Sequence, residues 1–144
     1  MSDQVIFSAV YGAVLVDERV PCVISQWHAF AKRQEFKAML ELALAYYQAH
    51  STPARPWGWV ADTRHMSVIP QDVQHWLTTE WNLQLSQAGL RQMSVVMSEN
   101  VFGQLAVAHY AQATAAQQPT YALATACFAT LEAAKQGARQ ALED

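Results

Sequence analysis

An α/β fold built on one mixed sheet is predicted by three observations on this chain of 144 residues. Between Trp57 and Met97 lies a complete unit of buried strand, turn, helix and second buried strand. Two strands joined through a helix of that length imply a parallel, right-handed crossover. Ahead of it, two strand-like apolar runs flank a short polar turn, which is a hairpin pattern. Between those regions the apolar period switches to that of a helix.

Val5 to Val16 reads as extended chain, bent at Gly12. Asp17-Glu-Arg-Val-Pro21 is a turn cluster, and Cys22-Val-Ile-Ser-Gln-Trp27 is the hairpin's second strand. From about Ala31 to His50, Phe36, Met39, Leu40, Ala43, Leu44 and Tyr47 form one buried helical stripe, with Lys32, Arg33, Glu35 and Glu41 on the wet side. Ser51 to Pro56 breaks that helix. Trp57-Gly-Trp-Val-Ala-Asp62 is the next strand, Thr63 to Pro70 a turn, and Gln71 to Ala88 a helix stopped at Gly89. Gln92 to Met97 is the following strand. Ser98-Glu-Asn100 offers caps for a helix from about Glu99 to Ala116, which Gln117-Gln-Pro119 ends. Thr120 to Cys127 is a last strand, and Thr130 caps a terminal helix carrying Leu131, Ala134, Ala138 and Leu142. The expected product is a single domain over 1–144, with about five strands and about four helices in the order β-β-α-β-α-β-α-β-α.

In the helix after Pro70, Val73, Leu77, Trp81, Leu85 and Ala88 share one arc at 100° per residue. Trp76 and Leu83 fall on a flank roughly 100° away from that arc. Such a surplus flank must meet a neighbouring helix, a ligand or a second subunit. The expectation drawn from it is a homodimer with Trp76 at or beside the contact.

Apolar residues make up 52% of the chain and charged ones 15%, which excludes a disordered polymer. A net charge of −3 and scattered basic residues argue against a nucleic-acid surface. No stretch is long and apolar enough for a membrane span, and Met1-Ser-Asp-Gln4 lacks the features of a signal peptide. Cys22 and Cys127 have no metal or redox spacing and read as two reduced core thiols. A cytoplasmic protein is expected.

Three stretches resemble the bacterial STAS-like proteins, in particular the small stand-alone members described as SpoIIAA-like or anti-sigma-factor-antagonist-like. They are Trp27-His-Ala-Phe-Ala-Lys-Arg-Gln-Glu-Phe36; Trp59-Val-Ala-Asp-Thr-Arg64 with Trp76-Leu77 and Glu80-Trp81; and Ala88-Gly-Leu90 through Val101-Phe102-Gly103. The resemblance implies a mixed sheet with helices, used as a docking or ligand-binding module. It also places Asp62-Thr63 at the joint where anti-sigma-factor antagonists carry a phosphorylated Ser. There Arg64 and His65 stand in place of Ser-Gly, so a phosphoswitch at Thr63 is not expected.

Asp62, Arg64 and His65 fall at the C-terminal end of a parallel strand, where open α/β sheets present ligand crevices. They could orient a polar ligand or perform acid–base chemistry. The favoured role for Asp62 is to accept turn amides, with Arg64 either in solvent or on an anion and His65 in solvent. Glu80, on an apolar helix face, reads as a hydrogen-bond partner of an indole, a backbone amide or Arg64, with a catalytic acid as its other role. The histidines lack metal-ligand spacing, the serines lack a nucleophile elbow, and the glycines form no phosphate loop. No metal or cofactor is expected. The candidate ligand- or partner-binding residues are therefore Asp62, Thr63, Arg64, His65, Trp76 and Glu80. The function expected is a non-catalytic, STAS-like protein-interaction or ligand-binding module. The alternative is a small hydrolase or isomerase using Asp62, His65 and Glu80.

Overall fold

The computed structural model describes residues 3–66, 68–118 and 120–143. Met1 and Ser2, Ser67 within the expected Thr63–Pro70 turn, the expected helix stop Pro119, and Asp144 lie outside the described residues. The fold is α/β, with one mixed sheet of six strands rather than about five. The strands are β1 (Gln4–Ala9), β2 (Gly12–Asp17), β3 (Cys22–Trp27), β4 (Gly58–Asp62), β5 (Gln92–Val96) and β6 (Ala124–Phe128). The extra strand arises because Val5 to Val16 is not one bent strand. It turns back at Val10-Tyr11, and Gln4 to Ala9 pairs antiparallel with Gly12 to Val16.

Spatial order follows chain order, β1-β2-β3-β4-β5-β6. β1–β2 and β2–β3 are antiparallel, while β3–β4, β4–β5 and β5–β6 are parallel. The connecting helices are α1 (Arg33–His50), a continuous segment made of α2 (Gln71–Trp76), a π turn (Leu77–Trp81) and α3 (Asn82–Gln87), and α4 (Val101–Ala116). Because each parallel crossover advances in the same direction and is right-handed, these helices share one face of the sheet. Helix α5 (Leu131–Glu143) returns across the opposite face.

Strand alternation divides the core accordingly. Val23, Trp27, Trp59, Met93 and Val95 join Phe36, Met39, Leu40, Val73 and Leu85 on the larger side. Cys22, Ile24, Val60 and Val96 pack with Ala134 and Ala138 of α5 on the smaller, whereas Cys127, expected in the core, is exposed on the edge strand β6. β4 is thus buried on both faces, as its continuous apolar run predicts. Thr130 accepts from the Ala133 amide at 3.1 Å, so it caps α5 as its position suggests.

The π turn changes the expected surface of the second helix. The Asn82 amide reaches back to the Leu77 carbonyl, five residues away, and one widened turn replaces the regular one. Residues five apart then align, instead of diverging by about 140° as the regular period requires. Trp76 and Trp81 consequently lie on the same side, their rings 6.4 Å apart at 25°. Trp76 is only 8% exposed and is covered by Lys37 of α1, whose ammonium stands 5.4 Å from the ring. The expected surplus flank is therefore filled from within the chain, and a dimer contact at Trp76 loses its basis.

Candidate functional site

The C-terminal ends of β3 and β4 lie side by side, with Gln26 opposite Asp62. Asp62 is 1% exposed and both its carboxylate oxygens are engaged. Arg64 donates through Nε to Oδ1 at 2.9 Å and through Nη2 to Oδ2 at 2.7 Å, a two-pronged pair. The Arg64 backbone amide adds a bond to Oδ1 at 3.2 Å, and the Gln26 amide donates to Oδ2 at 2.8 Å. Burial alone would raise the Asp62 carboxyl, but the bonds from Arg64 and Gln26 outweigh it and hold the acid below the ordinary carboxylate range. His28 meets the other end of the Gln26 amide at 2.8 Å. Gln26 and His28 escaped the sequence reading because only the register of two parallel strands brings them to Asp62.

Thr63 is buried, and its hydroxyl donates to the Val96 carbonyl at 2.5 Å while its amide bonds to the same oxygen at 3.1 Å. It clamps β4 to β5 and presents no free hydroxyl. The next residues fasten this loop to the start of α4. The Glu99 amide donates to the Arg64 carbonyl at 3.0 Å, and the Ser98 hydroxyl donates to the Met66 carbonyl at 2.9 Å. Asn100 caps α4, accepting from the Phe102 amide at 2.8 Å.

His65 and Glu80 do not join this cluster. The His65 ring lies 3.7 Å from the Glu99 carboxylate, with both side chains exposed. Glu80 is exposed and has no hydrogen-bond partner among the described residues. The expected bond to an indole, an amide or Arg64 is therefore absent, because Glu80 sits inside the π turn and faces away from the sheet. None of the principal cavities among the described residues is lined by Asp62, His65 or Glu80. No group of three His, Cys, Asp or Glu side chains is placed to hold a metal ion among the described residues.

Among the described residues none of the principal cavities is the expected polar crevice at Asp62, Arg64 and His65, and topology explains why. Such crevices open where strand order reverses, and this order never reverses. An apolar cleft of about 50 Å³ lies deeper, between the sheet and the helices, lined by Trp27, Phe36, Leu77, Trp81, Val95 and Tyr110 among others. Drug-sized ligands occupy pockets of roughly 300 Å³ and more, so this cleft takes little more than a few water-sized groups.

What the strand ends do present is apolar. Val68, Val101, Phe102 and Leu105 are 53%, 59%, 58% and 63% exposed. With Ile69, Gln71, Gln74, Ala106 and His109, all of them except Val101 line a surface hollow of about 420 Å³ between the start of α2 and the first half of α4. Sequence reading missed this face because a helix of low amphipathicity, Val101 to Ala116, gives no sign of which apolar side chains remain outside.

A second unforeseen cluster is structural. Asn82 donates to Thr114 Oγ1 at 3.0 Å and to the Tyr121 hydroxyl at 3.1 Å, and accepts from Tyr110 at 2.7 Å. The Tyr121 hydroxyl donates in turn to the Thr78 carbonyl at 2.5 Å. Burial pushes the Tyr110 phenol far up, so it stays protonated. Every member has a partner, which marks a strut between α3, α4 and the approach to β6.

Protein-family models, curated proteins and solved structures offer no match to the chain.

Proposed function

We propose that this protein is a non-catalytic, STAS-like interaction module that docks a protein surface through the apolar face formed by Val68, Val101, Phe102 and Leu105. The observation carrying this reading is the contrast at one end of the sheet. Asp62, Thr63 and Arg64 are consumed in holding the β4–α2 loop against β5 and α4, while four large apolar side chains beside them are more than half exposed. The largest exposed apolar patch on a small protein commonly covers a few hundred Å² and is often functional. The loop chemistry thus serves to fix the position of the patch.

The ligand-binding form of the module has less support, since the cleft that Thr63 lines is small. The larger hollows, one of about 430 Å³ beside Trp57 and Arg91 among them, are not lined by Asp62, Thr63, Arg64 or His65. The hydrolase or isomerase reading requires Asp62, His65 and Glu80 to share a reacting point. Its nearest approximation is an Asp62 ion-paired with Arg64, an exposed His65 and an exposed Glu80. A cytoplasmic setting fits the two free thiols: Cys22 in β3 and Cys127 in β6 are separated by two intervening strands, roughly 14 Å at standard strand spacing, too far for a disulfide.

Site-specific photo-crosslinking in the native host tests the docking face. A crosslinker at Leu105 should trap one discrete protein, and the same group at the exposed Glu41 of α1 should not. Absence of an adduct at Leu105, or equal capture at Glu41, would overturn the reading.

A further inference from the structure

We infer that the occupant of this apolar face is a second copy of the same chain, seated with the two α4 helices crossing about a two-fold axis. This rests on the docking reading above and names its partner.

Area is the first argument. At their stated exposures, Val68, Val101, Phe102 and Leu105 offer on the order of 400 Å² of apolar side chain per copy. Two copies meeting face to face, with the polar rim included, reach the lower range of stable interfaces, roughly 1,200 Å² in total. A symmetric contact has the further property that one patch covers both copies.

Charge is the second. Helix α4 runs Val101 to Ala116 without one Asp, Glu, Lys or Arg. The polar groups lining the hollow are Gln71, Gln74 and His109. A surface bearing net charge would repel its own image across a two-fold axis. The carboxylates that adjoin this one in the chain are Asp72, paired with Arg33, and Glu99, 3.7 Å from the His65 ring. A partner of strongly acidic or basic character would find no counter-charge on α4.

Hydrogen bonding is the third. The polar residues lining the hollow, Gln71, Gln74 and His109, carry amides and an imidazole, which both donate and accept, so each type can meet its counterpart on the opposite copy. The rim is thus complementary to itself, as the apolar centre is.

Sedimentation velocity and native mass spectrometry over the micromolar range test the proposal with the full chain. The wild type should sediment as a dimer. Leu105→Glu and Phe102→Glu should each raise the dissociation constant at least about thirtyfold, the loss expected for a central anchor. Their circular dichroism and thermal midpoints should match the wild type at a concentration where it too is monomeric, since both side chains are on the surface. A wild type that stays monomeric at high micromolar concentration overturns the proposal, as does a dimer indifferent to both glutamates. The crosslinking arm separates this failure from that of the docking reading. An adduct of twice the chain mass at Leu105 supports the dimer. An adduct with a different protein alone keeps the docking face and overturns self-association, and no adduct overturns both.

Discussion

Asp62 receives four hydrogen bonds from two residues, and this sets what its replacement will do. Asp62→Asn keeps the shape but removes the charge that Arg64 grips, which should cost about 2 kcal/mol in urea unfolding. The carboxyl is held below its ordinary range in the fold, so the folded state binds the proton less well than the unfolded chain. Its contribution is therefore complete above the unfolded carboxyl value of about 3.9 and lost as pH falls through the lower folded value. Wild type and Asp62→Asn should converge in stability in acid and separate near neutrality. A constant gap across that range would show that the pair contributes no ionic stabilisation. A similar device stands at the other end of the sheet. Lys135 of α5 donates to Asp3 at 2.8 Å and to Asp17 at 3.1 Å, and its side chain is buried. Lys135→Met takes the ammonium from Asp3 and leaves Asp17 with the bonds from Arg19, and should cost about 2 kcal/mol. Burial would lower the Lys135 ammonium, but Asp3 and Asp17 outweigh it and raise it. Its contribution is thus complete below the unfolded value of about 10.4 and fades as pH rises through the folded one. Equal stability of variant and wild type at neutral pH would refute the strut.

Among the elements, α4 shows how a local residue choice fixes the functional face. A methyl group on Gly103 would fall onto the Ser98 hydroxyl and the Met66 carbonyl, which are themselves hydrogen-bonded at 2.9 Å. Glycine is required there for close approach, so Gly103→Ala should push α4 away from the β4–α2 loop. A loss of at least about 2 kcal/mol is expected, in the range of overpacked core sites. Ala106→Gly, one turn along the same helix, should cost only about 1 kcal/mol of helix propensity plus a small packing loss. Equal thermal midpoints for the two variants would contradict this placement. The Gly103 stretch was conspicuous in the sequence, but its reason lay in a loop distant along the chain. Helix α1 was legible almost to its ends, because Phe36, Met39, Leu40, Ala43, Leu44 and Tyr47 keep one regular period and are all buried. The second helix was legible in extent and misread in orientation. A period of 100° per residue cannot anticipate a π turn. The nearest local cue is Thr78-Thr79, whose hydroxyls bond back to carbonyls of the preceding turn, at 3.2 Å to Gln74 and 2.7 Å to His75. That single widened turn carried Trp76 inward and left Glu80 outside, and with them went the expected polar role of one and the interface role of the other.

For the whole molecule, the strand order explains both what was readable and what was not. Each parallel crossover contains its own helix signal, so β3 to β6 follow from the chain almost in sequence. The apolar face on α4 does not, because it depends on which helix finds no neighbour once all three crossovers have been laid on one side. The same order predicts a gradient of local stability. β4 has hydrogen-bonded neighbours on both sides and cover on both faces, from the large core and from α5. Among the described residues β6 pairs only with β5 and β1 only with β2, and the register of β1 shifts between Val5 and Phe7. Opening an edge strand costs one ladder, whereas opening β4 requires dismantling both cores, so its amides should exchange only through global unfolding. Native-state hydrogen exchange should therefore rank the amides of Val60 and Ala61, with those of Ser94 to Val96, as the slowest, and those of β1 and β6 as markedly faster. If the dimer forms across α4, raising protein concentration should slow exchange near Phe102 and Leu105 while leaving the rate at β4 tied to unfolding of the subunit. Exchange at Val60 as fast as at Val5 would mean that the sheet does not have β4 at its centre.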